Sequence, residues 1–331
     1  MAGNLEFLSG TLTTQTTGTL DRVDPLTDVL DLARVRGTLG ALLRAGEDWG
    51  LALEPASGAS FHAVTAGMAW VRLPGEPPRR LLPGDVLLLP VASPHALASS
   101  PDGPLRVFDH RASKQALTSG EELTIGTGPA LTHILCANYH QDAEAAVPLL
   151  QLLPRSLHLP APPGGGPVGA TLHLIAAEVA GRRAGAAVVL DRLVDVLLVH
   201  VVRAWLDSAA AGGEPASWLT ALRDPVAAGA LSLLHADPAR AWTVDVLARE
   251  VGVSRATLAR RFPALVGSTP LAYLTRWRLD LAARRLRLTD DPVDAVARAV
   301  GYTSEYAFSR AFSRARGLPP GRYRTAQRAA D

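Results

Sequence analysis

The sequence predicts an α+β fold in two domains, an N-terminal domain that joins a small all-β unit to a pair of helices and an all-α C-terminal domain. Three observations support this prediction. The chain has 331 residues, more than one ordinary hydrophobic core accommodates. Residues 51–105 consist of short apolar runs separated by Gly and Pro, which is typical of β structure, whereas helical periodicity dominates beyond residue 170. Finally, residues 244–262 and 293–312 are two similar copies of one segment.

The N-terminal domain is expected to span residues 24–208. Residues 1–23 before it are rich in Thr and Gly and have no sustained period, which predicts a disordered tail. Asp24 and Pro25 then open a helical stretch, because Asp caps helices and Pro favours their first turn. The Pro- and Gly-rich run at 160–167 interrupts regular structure, and two helices are expected to follow it.

The second of these two helices, at about 188–206, carries an apolar stripe with charged residues opposite. The stripe consists of Leu190, Leu193, Val194, Leu197, Val201 and Trp205. It fits a helix packed on its own domain and equally a seam between two copies of the chain, and a homodimer is the commonest oligomer. Both interpretations stay open at this point. Residues 209–221, rich in Ala and Gly, are predicted to link this domain to a C-terminal domain at 222–326.

Charge is distributed unevenly between the two halves of the chain. From Leu222 onward there are 18 Arg against 10 Asp and Glu, a net charge of +8, whereas the first 221 residues carry a net charge of −6. A basic module beside an acidic one is typical of a polyanion-binding domain attached to another domain, with a solvated arginine-rich surface as the alternative. No apolar run is long enough to span a bilayer and the N-terminus has no export signal, so we expect a cytoplasmic protein without a membrane partner.

The duplicated segment is the strongest indication of function. Residues 244–252 (VDVLAREVG) and 293–301 (VDAVARAVG) are identical at six of nine positions, at an offset of 49. After one inserted residue, 254–262 and 304–312 share their initial Ser, a later Arg and their final Phe. Two copies of one structural unit are therefore predicted.

Each copy has the pattern of a helix-turn-helix unit. Gly252 and Gly301 would form the turn at a positive φ, which costs glycine little. Ser254 and Ser304 would then cap the second helix of their units. The alternative is a pair of helical hairpins that contact other proteins.

A long helix is expected to connect the two units, beginning at Thr269-Pro270 and ending near residue 288. Asp291-Pro292 repeats the same arrangement of cap and Pro before the second unit. A rigid connector would allow one chain to enter two successive major grooves, about 34 Å apart.

The exposed face of each second helix is the predicted DNA contact. Its residues are Arg255, Ala256, Ala259 and Arg260 in the first unit and Glu305, Tyr306, Ser309 and Arg310 in the second. Arg260 and Arg310 would donate paired hydrogen bonds to guanine, and Glu305 would accept one from cytosine. The arginines expected on phosphates are Arg261, Arg276, Arg278, Arg314, Arg322 and Arg324.

The region from about 224 to 324 resembles the DNA-binding domain of AraC/XylS-type transcription regulators. The two units and the run from Gly301-Tyr302 to GLPPGRYR at 317–324 carry the resemblance. It implies that the eight exposed helix residues and Arg324 face DNA, that double-stranded promoter DNA and RNA polymerase are the partners, and that activation is the favoured mode. The C-terminal domain would thus be all-α, with two helix-turn-helix units joined by a long helix.

The N-terminal domain resembles the cupin-like sensor that AraC-type regulators often carry. The residues that match the second cupin motif are Gly84, Pro90, Ala92, His95 and Ser99, with Ala92 and Ser99 in place of its Gly and Asn. The resemblance implies a small cupin-like β-barrel, followed by a helical pair, that responds to an unknown small-molecule or redox effector. A homodimer is expected because symmetric dimers are the commonest oligomers. Only His62 matches the first cupin motif, so neither a bound metal nor another cofactor is expected.

Three residues of this domain allow two interpretations each. His62 and His95 either line an effector pocket or are buried structural histidines. Cys136 is either a buried, inert thiol or a redox-sensing thiol whose pKa is lowered by nearby histidines at 133 and 140. The competing function is a cupin-type metal-dependent enzyme with an appended DNA-binding domain, but the missing metal ligands favour a protein that is not an enzyme.

Overall fold

The computed structural model describes residues 24–55, 58–118, 122–141, 149–181, 183–208 and 215–328. The tail predicted at 1–23 therefore lies outside the described residues. The strands are β1 (Arg36–Glu47), β2 (Gly50–Leu53), β3 (Ala59–Ala66), β4 (Ala69–Arg72), β5 (Arg79–Leu81), β6 (Val86–Leu89), β7 (His95–Ala98), β8 (Arg106–Val107), β9 (Leu123–Ile125), β10 (Thr127–His140) and β11 (Leu157–Leu159). The helices that accompany them are α1 (Pro25–Ala33), α2 (His110–Thr118), the short 3₁₀ helix Leu149–Leu152, α3 (Gly166–Gly181) and α4 (Ala186–Asp207).

The strands form two sheets that are not closed into a barrel, so the β-barrel expected from the resemblance is wrong. One sheet has the order β11-β6-β3-β10-β1-β9 and the other the order β5-β4-β7-β2-β8. Their edge strands β5, β8, β9 and β11 have only two or three residues each, too few to continue a hydrogen-bond ladder from one sheet into the other. The pattern of short apolar runs predicts strands, but closure depends on pairings between distant edges.

The strand β10 separates two cores. It pairs antiparallel with β1 on one side and with β3 on the other. Ile134 and Cys136 face a core between the two sheets, whereas Leu135 and Tyr139 face a core beneath the helices. Tyr139 is fully buried there, and its hydroxyl donates a hydrogen bond of 2.9 Å to the carbonyl of Val194 in α4.

The apolar stripe of α4 is used within the chain. Val194, Leu197 and Val201 are completely buried and Trp205 nearly so, because the helix packs on α3 and β1. The stripe therefore packs on its own domain and does not form a seam between two copies of the chain. Helical periodicity reveals an apolar face but not which partner covers it.

The C-terminal part is entirely helical where the structure describes it. Its helices are α5 (Trp218–Ala221), α6 (Pro225–Ala236), α7 (Val244–Glu250), α8 (Arg255–Val266), α9 (Pro270–Leu288), α10 (Val293–Ala299), α11 (Glu305–Arg316) and α12 (Pro320–Arg328). The short helix α5 lies in the predicted linker and is capped by Ser217, with Trp218 and Leu219 buried. Among the described residues, no helix has the length and apolar character needed to cross a membrane.

Candidate nucleic-acid interface

The first duplicated unit is formed by α7 and α8. The turn between them has Gly252 at φ +74°, as the sequence predicts. Ser254 caps α8, since its hydroxyl oxygen accepts a hydrogen bond of 3.1 Å from the backbone N–H of Thr257. Leu258 and Phe262 are completely buried, so one face of α8 is fixed against the core and the opposite face points outward.

The second unit, α10 and α11, has the same local structure. Gly301 has φ +85°, and the hydroxyl of Ser304 accepts a hydrogen bond of 3.3 Å from the N–H of Ala307. Phe308 and Phe312 occupy the positions of Leu258 and Phe262 and are likewise completely buried. A small core of their own, which also includes Tyr323 of α12, surrounds them.

The start of α10 differs from the prediction. Asp291 does not cap this helix; the N-cap residue is Pro292, which makes no side-chain cap hydrogen bond. The carboxylate of Asp291 instead accepts a hydrogen bond of 2.6 Å from Arg285 of α9. Asp291 therefore forms an ion pair with the connector in place of the expected cap. At the start of α9 the prediction is confirmed, because Thr269 caps the helix and Pro270 occupies its first turn.

The eight predicted DNA contacts lie together at the N-terminal halves of α8 and α11. Seven of them are exposed, and Ser309 is half-buried. Tyr306 is 72% exposed, a high value for a large aromatic side chain. Aromatic and arginine side chains held outward on a rigid helix are suited to base edges.

The arginines of this face are free or only weakly engaged. Arg260 makes no hydrogen bond or ion pair with the described residues. Arg310 lies 5.7 Å from the ring centroid of Tyr306, and Arg255 is 3.7 Å from Asp245 with both side chains exposed. Exposed pairs of this kind contribute about 0–1 kcal/mol, so these guanidinium groups can be redirected to DNA at little cost.

Three arginines predicted to bind phosphate make contacts within the chain, and their binding to phosphate stays a prediction. Arg261 forms an ion pair with Asp224, the N-cap residue of α6. Arg278 donates to the carbonyl of Pro238 over 2.6 Å, and Arg324 donates to the carbonyls of Leu286 (3.3 Å) and Asp291. The sequence does not distinguish such arginines from DNA-binding ones, because both uses require only a guanidinium group near a basic surface.

Cys136 and the two candidate pocket histidines form one buried chain of contacts. The Nε2 atoms of His62 and His95 are 2.7 Å apart, and Nδ1 of His62 is 3.1 Å from the sulfur of Cys136. Burial lowers the pKa of both histidines, for His62 well below its usual value. Both rings are therefore neutral near pH 7, and among the described residues no group of three or more His, Cys, Asp or Glu side chains is arranged to hold a metal ion.

The thiol of Cys136 has the opposite character from a redox sensor. Burial raises its pKa to about 12, so it is protonated at neutral pH. The ring beside it belongs to His62, and not to His133 or His140. The predicted lowering of the thiol pKa by those two histidines is therefore wrong. His133, three residues away, lies on the opposite face of β10, and His140, four residues away on the same face, is about 13 Å along the strand. The pairing of β10 with β3 places His62 beside the sulfur instead.

A buried polar contact joins the two domains, and sequence reasoning missed it. Nδ1 of His235 in α6 lies 2.9 Å from a carboxylate oxygen of Asp28 in α1, although 207 residues separate them. Nε2 of the same ring lies 2.7 Å from the hydroxyl of Tyr273 in α9, and the ring stacks on Trp277 at 3.9 Å. The imidazole is completely buried, so this bridge fixes α1 against the helical domain.

Comparisons with known proteins agree with this architecture. Residues 24–207 match a family described as Cupin, and residues 247–326 match a family described as Helix-turn-helix domain. A relative from Streptomyces lividans that bears the name of an AraC-like transcription regulator is 38% identical over 91% of this chain and 98% of its own length. The RCS-specific HTH-type transcriptional activator RclR of Escherichia coli is 32% identical over 91% of this chain and 97% of its own length.

A third relative, the HTH-type transcriptional regulator AlkR of Acinetobacter baylyi, is 29% identical over 91% of this chain and 99% of its own length. These relatives share both domains with the present chain and are named as regulators. The chain therefore belongs to the AraC family of DNA-binding transcription regulators, with an N-terminal cupin domain and a C-terminal helix-turn-helix domain.

Proposed function

We propose that this protein is a sequence-specific activator that reads promoter DNA with α8 and α11 and is controlled by a small molecule at its N-terminal domain. The observation that carries the proposal is the pair of outward faces at the N-terminal halves of these two helices. Each face presents an unshielded arginine, Arg260 or Arg310, at equivalent positions of the duplicated unit. The connector α9 packs against both units and would set the spacing between the two helices.

Control by the N-terminal domain would pass through its direct contact with the helical domain. The helix α1 packs on α6 and α9, and the bridge from Asp28 through His235 to Tyr273 ties these three helices together. A ligand that favours one arrangement of α1 would change the position of both recognition helices. The protonated thiol of Cys136 favours a small-molecule signal over a redox signal.

Dimerisation, which is also part of the proposal, would use a surface other than the apolar stripe of α4. The outer face of the α3–α4 pair exposes Leu174 (57%), Val189 (42%) and Val196 (42%). A second copy that covers these side chains would bury apolar area that water now contacts. Light scattering of wild type and Val196→Asp would test this surface; dimers in both would refute it.

A mobility-shift assay on DNA from upstream of the gene itself and of its neighbours tests the proposal. Arg260→Ala and Arg310→Ala are each expected to weaken binding by about 5- to 150-fold, the equivalent of about 1–3 kcal/mol for a lost base contact. Arg155→Ala removes an exposed arginine of the N-terminal domain and is the matched control.

Sequence selectivity separates base contacts from phosphate contacts. Loss of a base contact lowers the preference for the specific site, whereas loss of a phosphate contact weakens binding to all sequences and reduces the salt dependence. Unselective binding by the wild-type protein, or equal losses in all three variants, would contradict the proposal. Transcription from the same promoter in the presence of RNA polymerase then distinguishes activation from repression.

A further inference from the structure

A polar cleft lies at the boundary between the two domains, beside the bridge made by His235. We call it the interdomain cleft, and its lining residues are Asp31, Arg34, Arg36, His140, Gln141 and Arg284. The cleft has a volume of about 660 Å³, is open to solvent and has mainly polar walls. In the N-terminal domain, Asp31 lies in α1 and Arg34 directly follows that helix. Arg36 is the first residue of β1, and His140 is the last residue of β10. In the helical domain, α9 supplies Arg284.

The interdomain cleft has an excess of positive charge. Three guanidinium groups face it with one carboxylate, that of Asp31, which leaves a net charge of +2 when His140 is neutral. Neither Arg34 nor Arg284 has an ion pair or hydrogen bond with the described residues. Arg36 is 3.7 Å from Asp195, but that carboxylate also accepts hydrogen bonds from the backbone N–H of Gly37 and from Arg192.

These arginines belong to different domains. Arg34 and Arg36 are fixed to the N-terminal domain, and Arg284 is fixed to the connector between the two helix-turn-helix units. Like charges gathered across a boundary repel one another and weaken the contact between its two sides. An anion that binds guanidinium groups of both domains replaces this repulsion by an attraction of both domains to the anion.

We propose that the interdomain cleft binds a small, polyvalent phosphate compound, which joins Arg284 of the DNA-binding domain to Arg34 and Arg36 of the sensor. Arginine forks match phosphate oxygens in pairs, and several arginines in an open, polar cleft suit a hydrophilic, multiply charged anion rather than an apolar acid. Asp31 lies one helical turn from Asp28, whose carboxylate contacts His235, so the cleft borders a contact that already joins the two domains.

The binding part of this inference is independent of the proposed function, and only its effect on DNA affinity rests on that function. A bound anion stabilises the arrangement in which α1 is docked on α6 and α9. If DNA also prefers one of the two arrangements, its affinity changes by at most the ratio with which the anion prefers the docked arrangement.

Isothermal titration calorimetry of the full chain with inorganic pyrophosphate, at constant ionic strength, tests the site. We expect one pyrophosphate per chain and, for Arg284→Gln and Arg36→Gln, affinities that are lower by at least about tenfold. Arg223→Gln is the matched control, because it removes the same charge from an exposed position of the same domain as Arg284. Arg260→Ala/Arg310→Ala tests whether the anion occupies the DNA-binding face instead.

Each outcome decides the inference. A loss in Arg223→Gln equal to that in Arg284→Gln would mean unspecific charge attraction, and a loss in the Arg260/Arg310 variant would mean that pyrophosphate imitates DNA; either result overturns the cleft site. Citrate bound as tightly as pyrophosphate would overturn the preference for phosphate. If Arg284→Gln weakens DNA binding without any added anion as much as Arg260→Ala does, the cleft is a DNA contact and the inference fails.

A mobility-shift assay with and without pyrophosphate, again at constant ionic strength, then measures the coupling. We expect an affinity change of about threefold or more in the wild type and none in Arg284→Gln. Intact calorimetric binding with unchanged DNA affinity would overturn the coupling. A wild type that binds pyrophosphate but no specific DNA would instead refute the proposed function, so the two failures are distinguishable.

Discussion

Replacing Gly301 by alanine should destabilise the helical domain far more than the same replacement at Gly252. The two glycines occupy equivalent positions of the duplicated unit and have similar positive φ values, +85° and +74°. An alanine in this region of backbone conformation costs roughly 1–2 kcal/mol in either place. The positions differ in their surroundings, because a Cβ at Gly252 would meet nothing within 4 Å.

At Gly301 a Cβ would lie 2.7 Å from the Cα of Ala239 and 2.8 Å from its carbonyl oxygen. The backbone of the loop before α7 must then move. The same loop is held by Arg278, which donates to the carbonyls of Pro238 (2.6 Å) and Arg240 (2.9 Å). Weakening one such charge-assisted bond adds about 1.5–3 kcal/mol, so Gly301→Ala should cost about 3–5 kcal/mol in total.

Urea unfolding followed by tryptophan fluorescence measures this difference, since Trp242 and Trp277 are buried in the helical domain. Differential scanning calorimetry gives an independent value, at roughly 4 °C or more of melting temperature per kcal/mol for a domain of this size. Equal losses for Gly301→Ala and Gly252→Ala, or a Gly301→Ala protein within 1 kcal/mol of the wild type, would refute the reasoning from the close approach of Ala239.

Three further predictions concern buried polar groups. Asp280→Asn should lower the free energy of unfolding by about 3–5 kcal/mol, measured by urea unfolding at pH 8, because it leaves the mostly buried guanidinium of Arg316 without a charged partner. The measurement is made at pH 8 because burial raises the pKa of the Asp280 carboxyl to about 7. At pH 8, iodoacetamide should alkylate Cys136 in the native protein about 1,000-fold more slowly than in urea, as followed by mass spectrometry, because burial raises the thiol pKa from 9.0 to about 12. The free energy of unfolding should also fall as the pH decreases below about 6.5, by up to about 1.4 kcal/mol per pH unit for each of His62 and His95, because burial lowers their pKa in the folded state and the unfolded chain takes up the protons more readily. His62→Gln should reduce this dependence in urea unfolding at pH 7.0 and 5.5.

Matched variants control these measurements. Asp290→Asn breaks an exposed ion pair with Arg328 and should change stability far less than Asp280→Asn does, so an equal loss would contradict the burial argument. Alkylation of the native thiol at the rate measured in urea would show that Cys136 is accessible and ionised. His173→Gln alters an exposed histidine, and an effect on the acid dependence equal to that of His62→Gln would remove the buried pair as its cause.

Local features of the helical domain could be predicted from the sequence. The caps at Ser254, Ser304 and Thr269 and the positive φ values of the two turn glycines depend on neighbours within four residues, and all of them are present. The exposed faces of α8 and α11 follow from the same short-range periodicity. The duplication made each feature visible twice.

Features that depend on distant residues could not be predicted in this way. The contact of His235 with Asp28, the approach of His62 to Cys136 and the use of Arg278 and Arg324 as clamps on backbone carbonyls all join residues that are 33 or more positions apart. The open edges of the two sheets and the burial of the α4 stripe within the chain also depend on residues that are far apart in the sequence. Periodicity identifies an apolar or charged face, but only the fold determines what meets it.

The pairing of β1 with β10 has a consequence for the synthesis of the chain. Arg36 pairs with His140, so β1 leaves the ribosome about 100 residues before its main partner does. At the usual rate of elongation this interval is roughly 5–20 s, during which the apolar strand β1 has an unpaired edge. The helical domain is made after the N-terminal domain, and its contacts are mostly local, so it can fold soon after it leaves the ribosome. Chaperones that protect nascent chains should therefore act on the N-terminal domain, in the interval before β10 is synthesised.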